Sequence, residues 1–297
     1  MTTNYLTNSF QEQVTQILRG AVQQEGSVLN NTVTTGSYSG SAAQVADFVK
    51  AAARPKKNVA AKSDTTYTDI DTTRRWVVGD TYRDAILVDQ LQKLETLNDP
   101  TGMYSKMLIN SMGRERDEVI NASFFAAAKT GQTGSGTTPF ASGNTVAVGT
   151  GAAADTGMNF QKITTALKKL KANQVDVNRE ELYMPVTAKI WDDMINDPEI
   201  NNKLYGGLLN YQTGEMAKIM GINIVHYEDL DVDANSDIRV PLYTKSAIQL
   251  GIWKDTSVII TPNVATKNNA AQIYIDQFIG ATRLEEEKII EIICDPS

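Results

Sequence analysis

The chain has 297 residues, 41% hydrophobic and 21% charged, which supplies enough apolar material for a sizeable core and excludes a disordered chain. A formal net charge of -7 offers no positive field to phosphate backbones and excludes a dedicated nucleic-acid binder. The single cysteine, Cys294, excludes an internal disulfide, and no stretch approaches the roughly 18 apolar residues of a membrane span.

The opening MTTNYLTNSFQEQV lacks the basic patch and apolar run of an export signal, so a cytoplasmic setting is expected. Within it Leu6, Phe10 and Val14 recur every fourth residue, and Ile17, Leu18, Ala21 and Val22 prolong the stripe. That spacing predicts an amphipathic helix whose apolar face needs a cover.

From Gly26 to Thr73 the chain is rich in Ser, Thr, Gly and Asn and reads as an extended excursion outside the core. Its one break, Ala42 to Ala53 with Val45, Phe48 and Val49, is the more helical part. Arg54, Pro55, Lys56, Lys57 and Lys62 form a basic run. Such a run is ordinarily a solvated surface, but on an acidic protein it can also meet an acidic neighbour. Between Arg74 and Leu97 the apolar groups Trp76 to Val78 and Ile86 to Val88 predict either two strands around Gly79-Asp80 or a strand and a short helix.

Asn98, Asp99 and Pro100 signal a helix start, and Thr101 to Ala128 runs on without proline. At about 1.5 Å per residue such a helix extends on the order of 40 Å, the length of a whole subunit. Tyr104, Leu108, Met112, Val119, Ala122 and Ala126 are assigned to its inner face, with Arg114 to Glu118 turned outward. Lys129 to Gly157 reads as a second loose region and an internal boundary. Beyond it helices are predicted at Asn159 to Lys171, through Ile190 to Ile195 and near Gly214 to Met220, and strands at Glu181 to Met184 and Ile222 to His226. Strand-like runs follow at Ala247 to Trp253, Ser257 to Thr261 and Gln272 to Phe278, and Lys288 to Ile293 predicts a closing strand with one well-buried face. The fold class is α+β.

No motif assembles an active site. GQTGSGTT lacks the GK[ST] of a phosphate-binding loop. Asp229, Asp231, Asp233, Asn235 and Asp237 alternate like cation-loop ligands, but Ala234 and Val240 stand where Gly and Glu are needed, so a surface turn is the plainer reading and a weak divalent site the other. His226, the only histidine, has no companion for zinc or for a nucleophile. Adjacent carboxylates at Asp192 and Asp193 or Glu285 to Glu287 say nothing about separation in space, and Trp76, Trp191 and Trp253 are scattered enough to be core residues. No cofactor or metal is expected.

The order of elements, and the stretches LNDPTGMYSKMLINSMGRERDEVINASFFAAA, ALKKLKANQVDVNREELYMPVTAKIWDDMINDPEINN, MAKIMGINIVHYEDL and FIGATRLEEEKIIEIICDPS, resemble the major capsid proteins of tailed phages. The resemblance implies the Hong Kong 97 type of fold and a shell subunit without catalysis. By its analogy residues 1-25 are an N-terminal arm, 26-73 an extended loop region, 74-157 with 265-297 a peripheral domain carrying the spine helix 101-128, and 158-264 an axial domain. The closing strand is expected beside the spine helix. Leu6, Phe10 and Val14 of the arm and Arg54, Lys56, Lys57 and Lys62 of the loop are the expected contacts between subunits. The implied partners are further copies, as pentamers and hexamers, together with scaffolding, portal and cement or decoration proteins, around DNA that is enclosed rather than gripped and with no membrane. The implied place is the virion, assembled in the host bacterial cytoplasm. A soluble α/β enzyme or small-molecule binder, and another virion component, are the rival readings.

Overall fold

The computed structural model describes residues 24–40, 42–49, 72–88, 101–152, 154–200, 218–264 and 270–296. In chain order the first half contains β1 (Thr34–Ser37), β2 (Ala42–Val49), β3 (Thr72–Val78), β4 (Asp80–Val88) and the helix α1 (Thr101–Phe125). Then come β5 (Ala128–Thr130), β6 (Gly136–Thr138), β7 (Thr145–Val146), α2 (Phe160–Ala172), β8 (Leu182–Val186) and α3 (Ala188–Asn196). The described remainder carries the strands β9 (Lys218–Ile219), β10 (Ile222–His226), β11 (Ile238–Thr244), β12 (Ile248–Val264), β13 (Ala270–Arg283) and β14 (Ile289–Cys294), with short 3-10 turns at Lys245–Ala247 and Glu286–Lys288.

Among the described residues these strands form three sheets, in the orders β1-β12-β13-β4, β7-β14-β11-β8-β10-β9 and β2-β3-β5-β6. The first is a long antiparallel hairpin, β12 with β13, flanked by β4 along β13 and by β1 running parallel to the base of β12. The first half of α1 lies on it: Leu108 and Met112, four residues apart and so on one helix face, close a small core with Val88, Ile273 and Ile275.

The six-stranded sheet holds the larger core, into which α2 and α3 each press one stripe. Both helices are started by a side chain. Asn159 accepts from the Lys162 amide and Thr187 from the Ile190 amide, supplying one of the acceptors a helix N-terminus lacks. Ile163, Ala166 and Leu170 of α2 and Ile190 and Met194 of α3 are buried. The hairpin of β9 and β10 turns on Met220 and Gly221, both at positive φ (50° and 85°), the pairing that a tight two-residue turn needs and that glycine accepts without strain.

Several expectations are corrected. Ala42–Val49 is a strand, not helical: it pairs antiparallel with β3 from Ala42 opposite Val78 to Val49 opposite Thr72. Its Val45, Phe48 and Val49 fit a helical spacing equally well, and pairing with β3 decides the matter. Residues 26–37 are not an excursion, because Leu29 and Val33 are buried in the main core and β1 joins a sheet. Between Arg74 and Leu97 the two-strand reading holds as far as Val88, but β3 and β4 do not pair with each other; the chain steps from one sheet to another at Gly79. There β13 comes so close that a Cβ on Gly280 would lie 2.0 Å from the Val78 carbonyl oxygen.

α1 ends at Phe125, and its inner face is Leu108 and Met112 followed by Ile120 and Phe124, with Val119 half-buried and Ala122 and Ala126 exposed. Lys129 to Gly157, read as loose, contains β5, β6 and β7. The Ser257 and Ala247 runs are one strand, β12. Most of the helix expected near Gly214 lies outside the described residues, and Lys218–Ile219 is a strand. β14 is covered on both faces and is hydrogen-bonded between β11 and β7, not beside α1, while β12 belongs with β13 and β4. The boundaries drawn at residues 264 and 265 therefore divide one hairpin. The three tryptophans are half-buried at core margins.

Gly113, in mid-helix, is where the N-terminal segment crosses α1: a Cβ there would lie 2.5 Å from the Gly26 carbonyl carbon. Alanine in an open helix is worth about 1 kcal/mol over glycine. Here overpacking against backbone, about 1–3 kcal/mol, outweighs that gain. Gly113→Ala is therefore expected to destabilise and to raise hydrogen exchange in residues 24–33; a stabilised protein with unchanged exchange would place the crossing elsewhere.

Candidate assembly sites and family

Among the described residues no group of three or more His, Cys, Asp or Glu side chains could hold a metal ion. His226 is exposed at the end of β10 with Glu228 3.4 Å away. The Asp229 to Asp237 stretch is a turn in which Asp233 accepts from the amides of Asn235 (2.7 Å) and Asp237 (3.0 Å). The glycines of GQTGSGTT form the β5–β6 turn, with Trp76 Nε1 donating to the Gly131 carbonyl at 2.8 Å. Of the carboxylates once paired by sequence, Glu286 binds Arg75 and Glu285 binds Lys288, both as ion pairs. No helix among the described residues is long and apolar enough to cross a membrane.

Of the buried charged side chains among the described residues, Asp117, Arg283 and Lys162 each bind distant parts of the chain together, and the sequence reading singled out none of the three. Asp117 is 0% exposed although it stands in a charged run. Its Oδ1 accepts from Ser27 Oγ (2.5 Å) and the Leu29 amide (2.9 Å), its Oδ2 from Gln24 Nε2 (2.5 Å) and the Val28 amide (2.9 Å). Both lone-pair-bearing oxygens are thus used to fix residues 24–29 against the helix.

Arg283, 1% exposed at the end of β13, donates through Nη1 to the carbonyls of Phe124 (2.9 Å) and Ala126 (2.8 Å) and through Nη2 to that of Thr138 (3.3 Å). A cation there both pairs orphan carbonyls and meets the negative end of the α1 dipole. Glu286 lies 3.5 Å from Arg283 Nε and accepts from Arg75 Nη2 at 2.7 and 2.8 Å, so β3 is tied to the corner between β13 and β14. Burial pulls the Arg283 guanidinium below its ordinary value, opposed by Glu286.

Lys162 is the third. Its Nζ donates to the carbonyls of Thr156 (2.6 Å), Gly157 (2.9 Å) and Ile293 (2.9 Å), and burial lowers its pKa. The neighbouring Cys294 thiol is pushed up to about 12 by burial, which makes it inert rather than nucleophilic. A signal exists for two of them, since Lys162 and Arg283 are ionic side chains beside apolar neighbours in a regular element, but Asp117 is hidden in the charged run Arg114 to Glu118.

The expected contact residues Leu6, Phe10, Val14, Arg54, Lys56, Lys57 and Lys62 lie outside the described residues. Within them, Leu87, Val258, Ile259 and Ile260 near the tip of the β12–β13–β4 sheet are between 36% and 51% exposed.

The sequence model of the family described as "Phage capsid protein" matches residues 6–296. The chain belongs to the phage capsid protein family. It is a structural protein of the phage head shell, and its place is the virion. Solved structures agree on the fold. The capsid of Cyanophage P-SCSP1u is 16% identical at a TM-score of 0.74, covering 100% of this chain and 96% of that one. The capsid of Ralstonia phage GP4 is 12% identical at 0.73, covering 100% and 99%. A Mycobacterium phage Che8 structure is 14% identical at 0.69, covering 96% and 97%. No curated protein sequence matches the chain. The fold is of the Hong Kong 97 type over the whole chain, and Asp117 and Arg283 add polar ties from α1 to residues 24–29 and to β13.

Proposed function

We propose that this capsid protein tiles an icosahedral head as pentamers and hexamers and does so without catalysis. The observation that carries the reading is the family match over residues 6–296. The α1 sheet and the six-stranded sheet stand for the peripheral and axial domains, with β12 and β13 in the former and β14 in the latter. Leu6, Phe10 and Val14 supply an apolar arm that neighbouring subunits cover, and Arg54, Lys56, Lys57 and Lys62 meet an acidic neighbour. With a net charge of -7, the shell encloses DNA rather than gripping it. Scaffolding, portal and cement proteins are its further partners, in the host bacterial cytoplasm.

Purified protein is expected to form megadalton shells or capsomers by electron microscopy. Deleting residues 1–22, which spares the Gln24 contact to Asp117, should abolish shells while preserving the circular dichroism spectrum. Normal shells from the truncated chain would remove the arm from assembly, and a wild-type chain that remains a small oligomer even with its scaffolding partner would defeat the proposal as a whole.

A further inference from the structure

Between α1 and the segment after β10 lies an open cleft of about 440 Å³. Glu115, Glu118 and Asn121 of α1, at spacings of three, share one helix face and form one side; Tyr227, Asp229 and Asp231 form the other. Among the described residues of the lining Arg114 is the one cation, set against the four carboxylates of Glu115, Glu118, Asp229 and Asp231. Burial and then the Glu118 charge raise the Glu115 carboxyl, and burial followed by the surrounding carboxylates raises the Tyr227 hydroxyl. The cleft holds more negative charge than it neutralises.

A second observation points to what is missing. Asn121 is 3% exposed, and its Nδ2 donates to the Asp229 carbonyl (3.1 Å) and to Asp231 Oδ1 (3.2 Å). Those two acceptors fix the amide, since reversing it would set oxygen against oxygen. Asn121 Oδ1 is left buried with no donor, an arrangement that folded proteins rarely leave unmet. The described carboxylates form no metal-holding group, so the complement is a cation bearing N–H donors.

We infer that the cleft of Glu115, Glu118, Asn121, Asp229 and Asp231 receives the basic run Arg54, Lys56, Lys57 and Lys62 of a second copy of this chain. The inference rests on the assembly role proposed above and names the acidic surface that the run meets. That run lies in the connection between β2 and β3, whose ends, Val49 and Thr72, are paired. The two ends of the connection are therefore adjacent, and at about 3.5 Å per residue half its chain length spans at most roughly 35 Å. The other concentration of lysines, Lys168, Lys169 and Lys171, is fixed on α2, where Lys169 is engaged by the Gly143 carbonyl at 2.7 Å. Guanidinium and ammonium groups entering a cleft of opposite sign gain registry and association rate, and the gain weakens as salt shortens the Debye length.

The test uses two populations of full-length chain, one carrying Glu118→Cys and the other, in turn, Arg54→Cys, Lys57→Cys or Lys62→Cys. Each is doped into wild-type shells and oxidised. Cys294 is buried and serves as the background in each population alone. A disulfide-linked dimer that appears only in the mixed shells is the expected result. Shells that form normally without that dimer from any of the three pairs overturn the docking and leave the assembly role intact, whereas a wild-type chain that makes no shell strikes at the assembly role itself. In a second arm, Glu115→Lys with Glu118→Lys should lower shell yield at low salt with unchanged circular dichroism, and adding Lys56→Glu and Lys57→Glu should restore it; no loss, or no restoration, counts against the cleft.

Discussion

Asp117→Ala is expected to destabilise the subunit by about 3–5 kcal/mol, because removing one acceptor strands several donors at once. Ser27 Oγ and Gln24 Nε2 are side chains and can turn to water. The Val28 and Leu29 amides cannot, since they are held by the chain, and Leu29 is itself 0% exposed in the core. Those two amides carry most of the loss, at about 1–3 kcal/mol for each buried donor left unpaired. Asp117→Asn keeps one oxygen and places an NH2 group against the other pair of donors, so it should fall between wild type and alanine. Urea unfolding of unassembled subunits, with hydrogen exchange over residues 24–33, measures both. A loss under about 1 kcal/mol, the range of an exposed ion pair, would mean that the clamp is dispensable.

The second large effect is expected at Arg283. Arg283→Met keeps most of the volume and removes every donor, leaving the Phe124, Ala126 and Thr138 carbonyls without the partner they now have. Uncapping the end of α1 and breaking a buried ionic network together should cost about 3–5 kcal/mol. Arg283→Lys retains the charge but not the planar fork that serves three carbonyls, and should recover only part of the loss. Since Glu286 is shared with Arg75, the effects of Arg75→Met and Arg283→Met should not add. Additive losses in a double-mutant cycle would show the two arginines to be independent.

How far the sequence speaks for itself varies with how local each element's cause is. α2 and α3 were legible because their apolar stripes repeat within a few residues, and the caps that start them, Asn159 and Thr187, are equally local. The extent of α1 was legible for the same reason, but its face was not. Its first half packs on the sheet through Leu108 and Met112; its second half is buried in the main core through Ile120 and Phe124 and is gripped by residues 24–29 at Asp117. A single stripe drawn through Val119 and Ala122 assumes one covering surface where there are two. β2 was misread because its pairing partner, β3, lies far along the chain. β14 was read as one-faced because Glu291 interrupts its isoleucines, yet that carboxylate is buried against Arg239 and accepts from Thr145 Oγ1 at 2.7 Å. The acidic cleft escaped notice for a like reason: Glu115 and Glu118 look like a solvated helix face until Asp229 and Asp231 are folded across from them.

The pairing of early strands with late ones constrains how the chain can be made. β1 is bonded to β12, β4 to β13 and β7 to β14, so each of these strands emerges from the ribosome long before its partner exists. Until Ile248 to Cys294 has been synthesised, Leu108 and Met112 have no Ile273 or Ile275 to lie on, and neither principal sheet can close. Such non-local pairing makes folding slow and leaves unfinished chains exposing strand edges. It also means that a chain lacking β12 to β14 has neither principal sheet to offer a growing shell. The strand order thereby makes both principal sheets depend on the segment Ile248 to Cys294.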